Sequence, residues 1–216
     1  MLGIPHNTQI YHITHINNLE RIIKKGQIWS DAWRIEKGLE CDLIGMSRIK
    51  ERRLNEIEVS CRPGTMVGEY VPFYFCPRSI MLYILYRKNH PDITYNQGQD
   101  EIIHIVADLE KVICYCDQKK ISWAFSDVNA GAKYVRFFND LREMEVLDWN
   151  AINSRVWINP KIKEGKQAEF LVKNFFAFEL TSLIGVMNSE IQKRVDNILS
   201  DRKIELPVKV KRNWYY

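Results

Sequence analysis

The chain has 216 residues, of which 46% are apolar and 27% are charged, and its net charge is +4. This composition argues against a disordered chain, and the length fits one domain. No apolar run reaches the roughly 18 residues of a membrane span, and the N-terminus lacks the pattern of a secretion signal. Five scattered cysteines without a CxxC pair argue against a disulfide framework and a zinc site. We therefore expect a cytoplasmic monomer with a single domain over residues 1–216.

The N-terminal quarter predicts a strand, a helix and a long connection. Residues 9–16, QIYHITHI, are rich in Ile, Tyr and Thr and predict a strand. The helix that follows would be capped by Asn17 or Asn18 and would end at Gly26. Residues 30–68 are polar and weakly periodic, which predicts an irregular or partly helical segment. A connection this long inside a compact domain is usually functional.

The rest of the chain mixes strands and helices. Predicted strands are the aromatic segment 69–79, the buried run 101–109, residues 119–127, and the later segments AEFLVKNFFAF, LTSLIGVM and PVKVKRNWYY. Predicted helices are SIMLYILYRKN with Ser79 as its cap, a short turn at DLEKVI, an amphipathic helix over 132–149, and SEIQKRVDNILSD. Because these elements do not alternate as regular βαβ units, an α+β fold is favoured.

Two polar pairs stand out on predicted strands. His12 and Thr14 would share one strand face about 7 Å apart, with Ile13 directed to the core. They are either a polar clamp for a ligand or ordinary residues of a solvated face. Gln167 and Glu169 would likewise share a face where a charged loop enters an apolar strand. Glu169 is either an edge residue or a strong local charge in an apolar surround.

Basic residues cluster in SRIKERR, residues 47–53, and the chain ends in the basic and aromatic segment KVKRNWYY. Such patches can hold phosphate groups, although a solvated charged face has the same composition. The charge alone therefore leaves nucleic-acid binding open.

Taken together, these segments resemble the DarT family of DNA ADP-ribosyltransferases, the toxins of DarT–DarG toxin–antitoxin pairs. The resemblance is carried by YHITHINNLERII, IKERR, EYVPFYFCPRSIMLY, FSDVNA, LDWNAI, QAEFLV and the closing WYY, and it covers essentially the whole chain. It implies an ADP-ribosyltransferase-like fold with a central, mostly antiparallel split sheet flanked by helices.

The resemblance also implies roles for particular residues. Glu169 would be the catalytic glutamate, and Arg53, the second arginine of ERR, would be the other catalytic side chain and would contact NAD. His12, Ile13 and Thr14 would grip the nicotinamide end of NAD and its ribose. Residues of about 30–53 would form a lid over NAD, and about 126–169 would form the target-recognition loop. The aromatic block would contribute cleft residues: Tyr74, Arg78, Met81 and Tyr83.

The implied co-substrate is NAD with no metal, and the implied acceptor is a thymidine base in single-stranded DNA. Arg48, Lys50, Arg52 and Gln167 would contact the DNA, with Trp33 and Trp123 as stacking candidates. A macrodomain antitoxin of the DarG type would be the partner. Alternatives are transfer to guanosine in DNA, to RNA or to protein, and a non-enzymatic nucleic-acid-binding module.

Overall fold

The computed structural model describes Pro5 and residues 7–216. Met1–Ile4 and His6, on which the expectation about the N-terminus partly rests, lie outside the described residues. The strands are β1 (Gln9–His15), β2 (Gln27–Trp29), β3 (Tyr70–Tyr74), β4 (Ile102–Asp108), β5 (Trp123–Ser126), β6 (Phe137–Phe138), β7 (Glu169–Lys173), β8 (Phe175–Ala177), β9 (Thr181–Val186) and β10 (Val208–Val210). The α-helices are α1 (Leu19–Lys25), α2 (Asp31–Glu36), α3 (Ser47–Asn55), α4 (Ile80–Arg87), α5 (Leu109–Lys119), α6 (Trp149–Asn153), α7 (Pro160–Gly165) and α8 (Ser189–Asp201).

An eight-stranded sheet in the order β10-β9-β4-β1-β3-β7-β5-β6 organises the molecule, and β2 pairs separately with β8. Only the β10–β9 pair of the large sheet is parallel. β1 and β3 are registered only at Tyr11 opposite Tyr74, whereas β1 pairs with β4 along its whole length. The sheet is therefore split between β1 and β3. The predicted α+β fold with a mostly antiparallel split sheet flanked by helices is confirmed.

Several helix boundaries follow from local sequence, as predicted. Gly26 ends α1 with φ of 69°, a left-handed conformation that glycine adopts without steric cost. The Ser79 hydroxyl accepts a hydrogen bond from the Leu82 N–H and begins α4. On α8, Ile191, Val195 and Leu199 repeat every four residues and are all buried.

The predicted amphipathic helix over 132–149 is wrong. Phe137 and Phe138 pair with β5 as β6, and a 3-10 segment follows at Leu141–Val146 before α6 begins at Trp149. The Phe138 ring stacks on Phe125 of β5 with centroids 5.1 Å apart. Cross-strand aromatic packing of this kind favours the sheet over a helix that the apolar spacing alone would allow.

The C-terminal segment WYY packs onto the large sheet. A Cβ on Gly185 of β9 would lie 2.3 Å from the Trp214 ring, so only glycine permits this approach. The Tyr215 hydroxyl lies 2.8 Å from the Ile102 carbonyl and 3.1 Å from Nδ1 of His104. Nε2 of His104 donates to the Pro77 carbonyl at 2.8 Å, because a carbonyl can only accept. Desolvation inside the sheet favours the neutral form of His104.

Burial lowers the pKa of His104 from 6.5 to about 4. Between these values the unfolded chain binds a proton that the folded chain excludes, so the free energy of unfolding falls as pH falls from about 6.5 to about 4. The full pKa shift corresponds to a loss of about 3 kcal/mol in the free energy of unfolding. We expect His104→Gln to flatten this dependence in denaturant unfolding measured across that window. An unchanged slope in His104→Gln would contradict the assignment.

Among Pro5 and residues 7–216, no helix has the length and apolar character needed to cross a bilayer.

Candidate active site

A cleft of about 290 Å³ lies where β1 and β3 separate. It is lined from β1 by His12, Ile13 and Thr14, and from β3 by Pro72 and Tyr74. The three β1 residues expected to contact a ligand are therefore brought together in one concavity. Strand alternation directs Ile13 to the core, whereas the family resemblance places it at the ligand, and in the structure Ile13 both packs in a hydrophobic cluster and lines the cleft.

His12 bridges the split in the sheet. Its Nδ1 lies 2.9 Å from the Pro72 carbonyl, so Nδ1 carries the proton and Nε2 is left as an acceptor. Desolvation by burial lowers the pKa of His12 below its ordinary value. The ring is consequently neutral near pH 7 and can accept a hydrogen bond from a ligand.

Thr14 is tied to the loop between α2 and α3 through Asn18. The Asn18 amide donates to the Thr14 hydroxyl at 3.0 Å and to the Asp42 carbonyl at 3.0 Å. Its Oδ1 accepts from the Asp42 N–H at 2.8 Å. Asn18 was expected at most to cap α1, but its side chain makes no capping bond and instead anchors this loop on the cleft. The structural role of Asn18 depends on its contact with Asp42, 24 positions away, which local sequence does not reveal.

The segment predicted as a lid consists of α2, the loop at 37–46 and α3, and residues from all three parts line the cleft. Lys50 of α3 donates to Asp31 of α2 at 3.1 Å inside this wall. Lys50 therefore faces the cleft, whereas Arg48 lies on the exposed side of α3. The predicted contact of Arg48 with DNA stays a prediction.

Glu169 begins β7, where its side chain is completely buried. Its Oε1 accepts from the Ala130 N–H at 3.0 Å and from Nη2 of Arg53. Its own N–H donates to the Ser126 hydroxyl at 3.2 Å. Oε2 has no hydrogen-bond partner in the described part of the chain. The carboxylate is thus held in one orientation behind Arg53 and outside the cleft lining, with a buried Oε2 that has no partner among the described residues.

Arg53 of α3 lies between Glu169 and the cleft, which it lines with a side chain that is only 15% exposed. Burial by itself opposes the charge, but the adjacent Glu169 raises the pKa of Arg53 above its ordinary value. The guanidinium therefore remains cationic. Arg52 points to a different face of the helix, since successive residues are about 100° apart. It pairs instead with Glu56 at 3.3 Å on the surface.

Asn129 joins Arg53 to Gln167. Its Oδ1 accepts from Nη2 of Arg53 at 3.4 Å and from the Gly131 N–H at 2.7 Å. Its amide donates to Oε1 of Gln167 at 3.4 Å, and both residues line the cleft. The segment FSDVNA contributes to the family resemblance, but its local pattern predicts no role for Asn129. The one local signal is an Asn followed by Ala130 and Gly131, which is typical of a turn.

Tyr74 lies directly opposite Glu169 in the β3–β7 register. Burial, followed by the negative charge of Glu169, raises the pKa of Tyr74 far above its ordinary value. The phenol is therefore protonated and offers the cleft a neutral hydroxyl.

Other sequence-predicted cleft residues are divided by the fold. Met81 lines the cleft, but Arg78 and Tyr83 belong to an aromatic cluster around Tyr216 outside its lining. Trp123 is buried and stacks on Phe170 with centroids 5.8 Å apart, so its suggested role in stacking on DNA is wrong. Trp33 is half-buried, with its ring edge-on to Phe175. Within the described residues no group of three metal-ligating side chains converges.

A split antiparallel sheet with its cleft at the split and a buried glutamate at the start of a neighbouring strand defines an ADP-ribosyltransferase fold. A sequence model of the family described as "ssDNA thymidine ADP-ribosyltransferase, DarT" matches residues 11–216, and the chain belongs to this family.

Individual relatives agree with this assignment. A DNA ADP-ribosyl transferase of Thermus aquaticus is 38% identical over 217 residues, covering 100% of this chain and 92% of the relative. The Thermus sp. 2.9 DarT in complex with ADP-ribosylated single-stranded DNA superposes with a TM-score of 0.88 at 34% identity, covering 99% of both chains. The same Thermus protein in complex with NAD+ has a TM-score of 0.83 at 32% identity, covering 99% of this chain and 100% of that one.

Proposed function

We propose that this protein transfers ADP-ribose from NAD to a thymidine base in single-stranded DNA, releases nicotinamide, and acts as the toxin of a toxin–antitoxin system. The observation that carries the proposal is the buried Glu169 carboxylate, held by the Ala130 N–H and Arg53 beside a cleft in the split sheet. Family membership and the complexes of the Thermus DarT with NAD+ and with modified DNA support both substrates.

For NAD, the proposed contacts are His12, Ile13 and Thr14, with Arg53 at the inner end of the cleft. Neutral His12 offers Nε2 as an acceptor, and Ile13 contributes apolar surface for a planar ring. Because Thr14 is bonded to Asn18, and Asn18 to Asp42, the loop over the cleft is coupled to this same strand. A ligand that contacts both sides would be enclosed and shielded from water, which strengthens electrostatic interactions.

Glu169 suits the charge that develops when nicotinamide departs. As the glycosidic bond of NAD breaks, positive charge accumulates on the ribose. A fixed carboxylate out of solvent stabilises that charge without having to reorganise. The unpartnered Oε2 can also accept from a ribose hydroxyl, which would hold the sugar in one orientation as the base nitrogen attacks.

Arg53 is proposed as the second catalytic residue. Its raised pKa keeps the side chain cationic, so it is unsuited to removing a proton. A guanidinium beside the target base would instead polarise a base carbonyl and stabilise the negative charge that forms as the neighbouring ring nitrogen releases its proton to water. Its Nη2 already bonds both Glu169 and Asn129, which fixes the plane of the guanidinium.

Exposed Arg48 and half-buried Arg52 on α3, together with Lys50 of the same helix, are proposed to contact the DNA backbone. Gln167 at the cleft is proposed to contact the target base. Basic side chains hold phosphates without regard to sequence, and an unpaired base spares the cost of flipping one from a duplex. A macrodomain antitoxin of the DarG type is the proposed partner, and a single-domain monomer acting in the cytoplasm is the proposed state.

Mass spectrometry of oligonucleotides incubated with the protein and NAD tests this function. We expect ADP-ribose on thymine in single strands, with nicotinamide released in equal amount, and little product on duplex DNA. RNA, protein and thymine-free single strands are the matched controls. Label only on guanine, RNA or protein would replace the proposed acceptor, and DNA binding without NAD consumption would reject the enzyme in favour of a binding module.

A further inference from the structure

The loop between β5 and β6, residues 127–136, carries an aromatic ring that is left largely exposed by the described part of the chain. Tyr134 is 83% exposed, and its neighbour Lys133 holds Nζ 5.6 Å from the ring centroid. A single exposed aromatic is common on protein surfaces and by itself signals nothing. Tyr134 differs from such a residue because its loop contacts Arg53 and because charged side chains lie on the same loop and on α3.

The same loop lies directly on α3 beside the cleft. A Cβ built on Gly131 would be 3.1 Å from Cγ2 of Ile49 and 3.4 Å from Nε of Arg53. Tyr134 follows three residues later, so its Cα is within roughly 11 Å of Gly131. Tyr134 therefore belongs to the part of the loop that packs next to Arg53.

The surface near this loop has the charge that a nucleic-acid backbone requires. Lys133 of the loop and Arg48 of α3 are exposed. Arg52 is neutralised only by the surface residue Glu56, a type of pair that contributes little. Arg136 differs, because its Nε donates to Asp127 at 2.7 Å and it serves to fix the loop. Exposed cations are thus present on both elements that meet at Gly131, and basic side chains combined with exposed aromatic rings are what single-strand binding uses.

We propose that Tyr134 stacks on the base next to the modified nucleotide, while Lys133 and Arg48 contact the flanking phosphates. This assignment rests on the proposed function. Tyr134 would position the DNA and would take no part in the transfer reaction itself. Stacking on an exposed ring tolerates any base, so Tyr134 would strengthen DNA binding without selecting the target.

Steady-state kinetics with a thymine-containing oligonucleotide test the proposal. We expect Tyr134→Ala to raise the KM for DNA about 5-fold to 100-fold, the range for losing one stacked base. The KM for NAD and kcat should be unchanged, and Tyr134→Trp should keep the wild-type KM. The matched control is Tyr115→Ala: Tyr115 also has a lysine, Lys119, over its ring at 6.0 Å, but α5 contributes nothing to the described cleft.

Abasic substitution identifies the stacked base. A set of oligonucleotides carries an abasic site at one neighbour of the target at a time. At one of these positions, the KM for DNA should be the same for wild type and Tyr134→Ala. If Tyr134→Ala has a higher KM for DNA than wild type at every abasic position, or the wild-type KM on the intact oligonucleotide, the stacking role is wrong. Either result leaves the proposed transfer reaction unaffected. Failure of the wild type to modify the intact oligonucleotide would instead overturn the proposed function.

Discussion

Replacing Glu169 with glutamine should lower the rate of ADP-ribose transfer by at least about 100-fold. The amide has nearly the shape of the carboxylate and can still accept from the Ala130 N–H, so the geometry of β7 should survive. What it loses is the negative charge facing the ribose in the transition state. The measurement is the single-turnover rate of oligonucleotide modification at saturating NAD.

The control is Glu164→Gln, the same change at an exposed position in α7 five residues earlier, which should leave the rate unchanged. Glu169→Gln should also still bind NAD, because the cleft residues of β1 are untouched. A Glu169→Gln protein that modifies DNA at the wild-type rate would show that the buried carboxylate has no part in the reaction.

Arg53→Ala should have an effect of similar size, and Arg53→Lys should recover little of the activity. A lysine ammonium is a point charge on a flexible chain, whereas the guanidinium is planar and holds Glu169 and Asn129 together. The rate of DNA modification and the release of nicotinamide in the absence of DNA should be measured separately. A defect confined to DNA modification would place Arg53 at the base, and a defect in both would place it at NAD.

Arg52→Ala is the neighbouring comparison. Since Arg52 lies on the outer face with Glu56, we expect a few-fold rise in the KM for DNA relative to wild type that is largest at low salt and shrinks as salt rises, and an unchanged kcat. Equal losses in Arg52→Ala and Arg53→Ala would contradict the division of roles between them.

Stability must be separated from catalysis at this pair. Removing Arg53 leaves the fully buried Glu169 without its counter-ion, which typically costs about 3–5 kcal/mol. Replacing both partners with apolar residues of similar size is often neutral. The double variant Arg53→Met with Glu169→Leu should therefore unfold at a higher denaturant concentration than Arg53→Ala, yet remain inactive.

Local sequence accounts for those elements whose ends are chemically marked. Gly26, Ser79 and the four-residue repeat of α8 each act within one or two turns of helix, so their effects are visible in a short window. The helix predicted over 132–149 is wrong because the apolar spacing of this segment also fits a helix, while Phe137 and Phe138 gain more by pairing with β5. That gain depends on a strand more than ten residues away along the chain.

Local patterns predict the α+β class and the strand that carries His12 and Thr14, because strand alternation and terminal residues act within a short window. They do not predict that Gln167 lies in the turn before β7 while Glu169 begins the strand. Nor do they predict that Arg53, and not Arg52, meets Glu169, that Asn18 holds the loop over the cleft, or that Tyr134 is exposed beside α3. Each of these depends on which face of an element packs against a distant one. Burial and long-range pairing set that choice, and neither can be read from the order of residues within a single element.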